Sequence, residues 1–176
     1  MNHWMNETKL EIETFVLRET GVKCPESFAE QHDELLVSIT ADPANAAHWW
    51  HWQKDKCFPG EGWVSFMLNR VQIMPMDAWT NVAVFWQELL KTVENYVSTG
   101  RGQGEFSEET APFSLVKRGT IAVFELRGQR YPVEPDSFLK AVLGAAQEFY
   151  TWVEEYIGGS DRTCLVRIET LMDGLK

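Results

Sequence analysis

The chain of 176 residues and 20.3 kDa has the length of one ordinary domain, and we predict a single domain over residues 1–176. Hydrophobic residues make up 44% and charged residues 24%, a balance that supplies enough apolar surface for a core and argues against intrinsic disorder. The 16 basic and 26 acidic side chains give a net charge of −10, which repels a phosphate backbone and therefore disfavours direct nucleic-acid binding.

The N-terminal residues 1–9 have neither the basic start nor the apolar run of a secretory signal, and no apolar run approaches the roughly 20 residues of a membrane span. We therefore expect a soluble cytoplasmic protein that does not enter a membrane. The acidity is concentrated early: residues 1–60 carry 10 acidic and 5 basic side chains, whereas residues 101–135 carry 5 of each. This negative charge serves either solubility or the attraction of a basic partner.

Three stretches in the first half of the chain alternate apolar and polar residues with the period of a half-buried strand. They are residues 9–17, 34–40 and 62–73, and the last stretch has a turn near Asn69 and Arg70. A polar link with Gly21 and Pro25 separates the first two stretches and has room for a short helix.

Two segments change to the helical period. The first runs from Ala78 to Gly100, with Asp77 as the expected N-cap, and the second opens at Pro135 and ends before Gly158. Their predicted core residues are Val82, Phe85, Trp86, Leu89, Val93 and Tyr96 in the first helix, and Leu139, Val142, Leu143, Ala146, Phe149, Tyr150, Val153 and Ile157 in the second.

Shorter elements surround the second helix. Residues 101–105 contain two glycines and no apolar residue, which predicts an exposed, mobile loop. Residues 113–117, 120–126 and 130–133 predict antiparallel strands joined by tight turns at Arg118-Gly119 and Gly128-Gln129. The tail over residues 163–171 fits either a strand or a helix.

The chain resembles itself at an offset of 60 residues. Pro75 then aligns with Pro135, and the strand at 63–66 aligns with the strand at 123–126. Units of two strands and one helix over residues 62–100 and 120–159 would follow, although amphipathic helices also share residues by chance. The predicted fold is α+β, an antiparallel sheet with two long amphipathic helices on one face.

The most unusual segment is Ala-Ala-His-Trp-Trp-His-Trp at residues 46–52. Tryptophan and histidine offer rigid contact area with polar handles, and tryptophan is enriched at binding hot spots, so this segment predicts a recognition surface. Three tryptophans within four positions do not all face one core, so at least one should lie near the surface or against another element, and we expect this one to be Trp50. The predicted partner-binding residues are His48, Trp49, Trp50, His51 and Trp52, with the acidic residues Glu30, Asp33 and Asp42.

An alternative use of the same segment is chemical. His48, His51 and Cys57 would lie close enough to share a metal ion or to form a thiol–base pair, and Cys24 with His32 is a second thiol–base candidate. The three cysteines, which include Cys164, form no CxxC pair, so we expect free thiols in a reducing compartment. The spacing matches no established zinc signature, and we predict no cofactor.

The segment from Pro112 onward, PFSLVKRGTIAVFEL, followed by VEPDSF at the start of a long helix, resembles small bacterial immunity proteins of polymorphic-toxin and contact-dependent inhibition systems. The resemblance covers residues 112–157 and transfers no binding residue. It implies a cytoplasmic antidote that occludes the active site, or an adjacent surface, of a toxin domain. Such toxins are often basic nucleases, which this acidic chain would complement.

Three functions remain open from the sequence. The first, which the charge and the resemblance favour, is a non-enzymatic immunity protein with a basic toxin domain as its partner. The second is a small metal- or thiol-dependent enzyme that uses His48, His51 and Cys57. The third is a structural or regulatory subunit, and the sequence leaves the oligomeric state undetermined.

Overall fold

The computed structural model describes residues 8–18, 25–54, 60–104, 112–159 and 162–175, and it has the predicted α+β architecture. The strands are β1 Leu10–Leu17, β2 Leu36–Ser38, β3 Glu61–Leu68, β4 Val71–Gln72, β5 Thr80–Asn81, β6 Arg101–Gly104, β7 Phe113–Arg118, β8 Ile121–Leu126 and β9 Gln129–Val133. The helices are α1 Pro25–Glu30, α2 His32–Leu35, α3 Pro43–Lys54, α4 Val82–Thr99, α5 Pro135–Trp152 and α6 Thr163–Gly174.

The strands form two antiparallel sheets, where the sequence predicted one. Sheet 1 has the order β2-β1-β3-β4, with β5 also paired to β3, and sheet 2 has the order β6-β7-β8-β9. The predicted strand at 34–40 is shortened to β2, because the residues before Leu36 form the short helix α2. The alternating patterns predicted the individual strands correctly, but a pattern does not specify the sheet to which a strand belongs.

Two hairpin turns use backbone with positive φ at both central residues, as the right-handed twist of a two-residue hairpin favours. In the β3–β4 turn these are Asn69 and Arg70, with φ of 49° and 71°. In the β8–β9 turn they are Arg127 and Gly128, with φ of 50° and 79°, one residue earlier than predicted. Arg127 also reaches from this turn to Asp77, with its Nη1 atom 2.7 Å from the carboxylate.

The predicted loop at 101–105 is wrong for residues 101–104, which form strand β6, and Glu105 lies outside the described residues. β6 pairs with β7, so that Gly102 lies opposite Leu115. A Cβ atom on Gly102 would stand 2.0 Å from the carbonyl oxygen of Thr92 in α4. The glycine therefore allows the strand to lie against the helix, a tertiary reason that local composition does not reveal.

Helix α4 begins later than predicted, because Asn81 rather than Asp77 is its N-cap and accepts a hydrogen bond from Val84 N–H at 3.1 Å. It ends as predicted at Gly100, whose φ is 81°. Helix α5 is capped by Glu134 and continues through a π-helical turn, Val153–Ile157, before Gly158. The tail forms a helix, α6.

The core lies where the two sheets and the two long helices meet. Phe66 of sheet 1 stacks on Phe124 of sheet 2, with ring centroids 5.9 Å apart. Trp86 of α4 stacks on Phe149 of α5 and donates a buried 2.9 Å hydrogen bond to the hydroxyl of Thr14. All six core residues predicted for α4 are buried, as are the first five predicted for α5; Tyr150, Val153 and Ile157 are half-buried.

At an offset of 60, β3 coincides with β8, and α4 falls on residues 142–159, which overlap α5 and its π-helical extension, although α5 begins only 53 residues after α4. Pro75 precedes β5, whereas Pro135 begins a helix directly, so the two prolines are not structural equivalents. Within the described ranges, no helix combines the length and apolar character needed to cross a bilayer.

Candidate functional site

The aromatic segment of residues 46–52 lies within α3. Pro43 occupies the start of this helix, where its fixed φ and missing N–H are tolerated, and Ala46 and Ala47 are buried against the rest of the fold. Gln53 fixes the other end: its side-chain Nε2 donates to the carbonyl oxygens of Leu17 and Glu61, and its Oε1 accepts from Glu61 N–H. The helix is therefore held at both ends and displays its remaining side chains in a fixed direction.

The three tryptophans of α3 point in different directions. Trp50 packs against another element, α5, with its ring centroid 5.6 Å from that of Trp152 and 6.5 Å from that of Phe149. Trp49 and Trp52 meet edge to face, 5.8 Å apart. Trp49 also packs against the core, and all three tryptophans are half-buried.

Both histidines of α3 are exposed. His48 packs edge-on against Trp49 at 4.8 Å, and Nε2 of His51 lies 3.5 Å from the carbonyl oxygen of Tyr156. The described residues contain no cluster of three or more histidine, cysteine, aspartate or glutamate side chains able to hold a metal ion. Cys57 and Cys24 lie outside the described residues, so the metal and thiol hypotheses that need them stay predictions.

Arg18, which the sequence analysis did not single out, joins α3 to the acidic residues. Its guanidinium lies 5.8 Å from the ring centroid of Trp49, and its backbone N–H donates to the Leu35 carbonyl at 2.6 Å. Together with Asp33 and Glu34 it lines an open cavity of about 480 Å³. Its position directly after a predicted strand was the only signal in the sequence.

The predicted acidic residues do not form one cluster. Glu30, Asp33 and Asp42 are all exposed, but only Asp33 lies beside Arg18. Asp42 immediately precedes α3, two helical turns away from Trp49. Glu30 ends α1, which packs on α2.

A second acidic region, which sequence reasoning missed, lies beside the start of α3. Glu148 and Glu155 line a cavity of about 460 Å³ that also contacts Pro43 and Tyr156. Partial burial and the nearby charge of Glu13 raise the pKa of the Glu148 carboxyl above its ordinary value. Carboxylates therefore line one cavity at the start of α3 and another beside Arg18, which contacts Trp49 of α3.

No family model, curated protein or solved structure matches the chain. We use the term α3 surface for the exposed or half-buried residues Arg18, Asp33, Glu34, His48, Trp49, His51 and Trp52.

Two further carboxylates, Glu94 of α4 and Glu154 of the π-helical turn after α5, form ion pairs with arginines. Glu94 forms a two-point pair with Arg167, which joins α4 to α6, and Glu154 pairs with Arg162 at 3.1 Å. The forked geometry of the Glu94 pair fixes the orientation of its carboxylate. Both pairs therefore have a structural explanation.

Proposed function

We propose that this chain is an immunity protein that binds a basic toxin domain through the α3 surface and neutralises it by covering its active site or an adjacent surface. The observation that carries the proposal is the combination on α3 of fixed aromatic side chains with acidic flanks. Trp49 and Trp52 contact each other on a helix that is fixed by Gln53, while carboxylates line the cavity at the start of this helix and the cavity beside Arg18.

This arrangement matches the energetics of a protein interface. Aromatic side chains held in place lose little conformational entropy on binding and supply most of the affinity at hot spots. The exposed carboxylates of Asp33 and Glu34, together with a net charge of −10, attract a basic partner and accelerate the encounter. The α3 surface would therefore combine affinity from its tryptophans with association rate from its acids.

The test uses the C-terminal domain of each toxin-like protein that is found encoded beside this chain's gene. We expect the two purified proteins to form a complex, the toxin's activity to be lost in it, and association to slow as salt is raised. Trp52→Ala should weaken the complex at least tenfold. Asp33→Lys should lower the association rate.

A matched control is Glu169→Lys, which makes the same charge change on an exposed position of α6. If it slows association as much as Asp33→Lys, the effect belongs to overall charge and not to the α3 surface. Absence of a complex with every adjacent toxin-like product would overturn the proposed function.

A further inference from the structure

A third cavity, which we call the His32 cavity, shares Asp33 and Leu36 with the cavity lined by Arg18. It has a volume of about 390 Å³, and its apolar walls come from Phe15, Leu36, Trp63 and Met76. Ligand sites in proteins occupy roughly 300 to 1,000 Å³, so this cavity has the size for a molecule of one or two rings. Met76 stands at its exposed rim.

Among the polar groups that line this cavity, those of Gln72 and Trp63 are already satisfied, and the carboxylate of Asp33 lies in solvent. The amide oxygen of Gln72 accepts hydrogen bonds from the Phe66 and Met74 N–H groups, and its nitrogen donates to Ser65. The indole N–H of Trp63 donates to the carbonyl oxygen of Pro75 at 2.9 Å. These hydrogen bonds hold the walls in place. They also occupy the polar atoms of Gln72 and Trp63 that would otherwise bond to a ligand.

His32 is the exception. Its side chain is 9% exposed, its Nε2 atom is buried, and that atom has no hydrogen-bond partner. Its Nδ1 atom lies 3.8 Å from the Asp33 carboxylate, which favours the ring proton on Nδ1 and leaves Nε2 as a lone-pair acceptor. Burial lowers the pKa of the imidazole, which keeps the ring neutral.

A buried acceptor without a partner costs free energy that a donor recovers. We propose that the His32 cavity is a binding site for a small, uncharged aromatic molecule with one hydroxyl or N–H donor, of the phenol or indole class. The aromatic body contacts Trp63 and Phe15, whose own rings lie 5.9 Å apart, and the donor pairs with Nε2 of His32. This site shares Asp33 with the α3 surface, but the proposal does not depend on the toxin-binding role of that surface.

The test compares two related probes, p-cresol and toluene, which share a methylated ring and differ by one hydroxyl group. In the full-length protein labelled with ¹⁵N in its histidines, p-cresol should shift the Nε2 resonance of His32 upfield, as accepting a hydrogen bond requires. Toluene should leave it in place, and His48 and His51 on α3 should respond to neither. Calorimetry should give a dissociation constant for p-cresol roughly three- to tenfold below that for toluene.

The variant His32→Phe keeps a ring and removes the acceptor, so it should bind both probes with equal affinity. A retained preference for p-cresol would overturn the proposal. Equal affinities in the unaltered protein, an unmoved Nε2 resonance at saturation, or no binding of p-cresol would each do the same. The measurements on the unaltered protein decide the question even if His32→Phe does not fold.

Discussion

The imidazole of His32 meets the indole of Trp63 edge-on, with ring centroids 4.2 Å apart and an angle of 88° between the planes. Phe28 approaches the same imidazole at 5.2 Å. The neutral ring thus joins the short helices α1 and α2 to sheet 1 through aromatic contacts. A charged ring at this position would need hydration that the packing does not supply.

The first prediction concerns pH. Burial lowers the pKa of folded His32 below its ordinary 6.5, while the adjacent Asp33 opposes that shift. As the pH falls below 6.5, the unfolded chain takes up the proton first, so the folded state loses stability until His32 is protonated in it as well. The stability that folding gains from the neutral His32 side chain is fully present only above pH 6.5.

Urea unfolding between pH 7.5 and 5.5 measures this effect. The unaltered protein should lose more free energy of unfolding over this window than His32→Phe, because only the former titrates at position 32. Other groups titrate equally in both proteins. Parallel curves would mean that His32 is not held neutral by the fold.

The second prediction separates two tryptophans of α3. Trp50→Ala removes a ring that packs on Phe149 and Trp152, and it should lower the free energy of unfolding by about 2–4 kcal/mol. Trp52→Ala should cost distinctly less, because Trp52 is not among the side chains packed against the core. Chemical denaturation of the two variants checks the order, and equal losses would contradict it.

The periodic helices were predictable because their information is local. The stripe from Val82 to Tyr96 fixes both the helical period and the face that is buried, so α4 was expected with its core residues. The start of α4 was not predicted correctly, because Asp77 and Asn81 are both capable N-caps. Only the path of the chain through β5 selects Asn81. Asp77 is used instead in a pair with Arg127, 50 residues away.

Other features depend on contacts that no local pattern contains. The direction of Trp50 is set by aromatic residues about 100 positions later in α5. The neutrality of His32 and its cavity arise only when α2 meets sheet 1. Arg18 joins Trp49 because the end of β1 lies beside α3. The sequence therefore located the aromatic segment but left its geometry to the tertiary structure.

The third prediction compares two glycines. Gly102→Ala would place a Cβ atom 2.0 Å from the Thr92 carbonyl oxygen, so β6 must shift from α4, and we expect a loss of about 1–3 kcal/mol. Gly144→Ala lies within α5 with nothing within 4 Å of the added atom, and it should gain about 0.5–1 kcal/mol. Thermal unfolding shows whether each substitution lowers or raises the stability of the protein. If Gly102→Ala does not lower the stability, the close approach of β6 to α4 does not require a glycine at this position.

The last prediction concerns Gln53, whose amide connects the end of α3 to two strands of sheet 1. Gln53 is 3% exposed, and its side chain pairs with the Leu17 carbonyl at 2.7 Å and with both backbone groups of Glu61. Gln53→Ala leaves these groups without partners in a site that is closed to water, and we expect a loss of about 2–4 kcal/mol in the free energy of unfolding. Lys54→Ala, at the exposed neighbouring position, is the control and should change the free energy by less than about 0.5 kcal/mol. Hydrogen exchange adds a local readout, because the Glu61 amide should lose its protection in Gln53→Ala and keep it in Lys54→Ala. Retained protection of that amide would show that α3 is held to the sheet by its apolar contacts and not by Gln53.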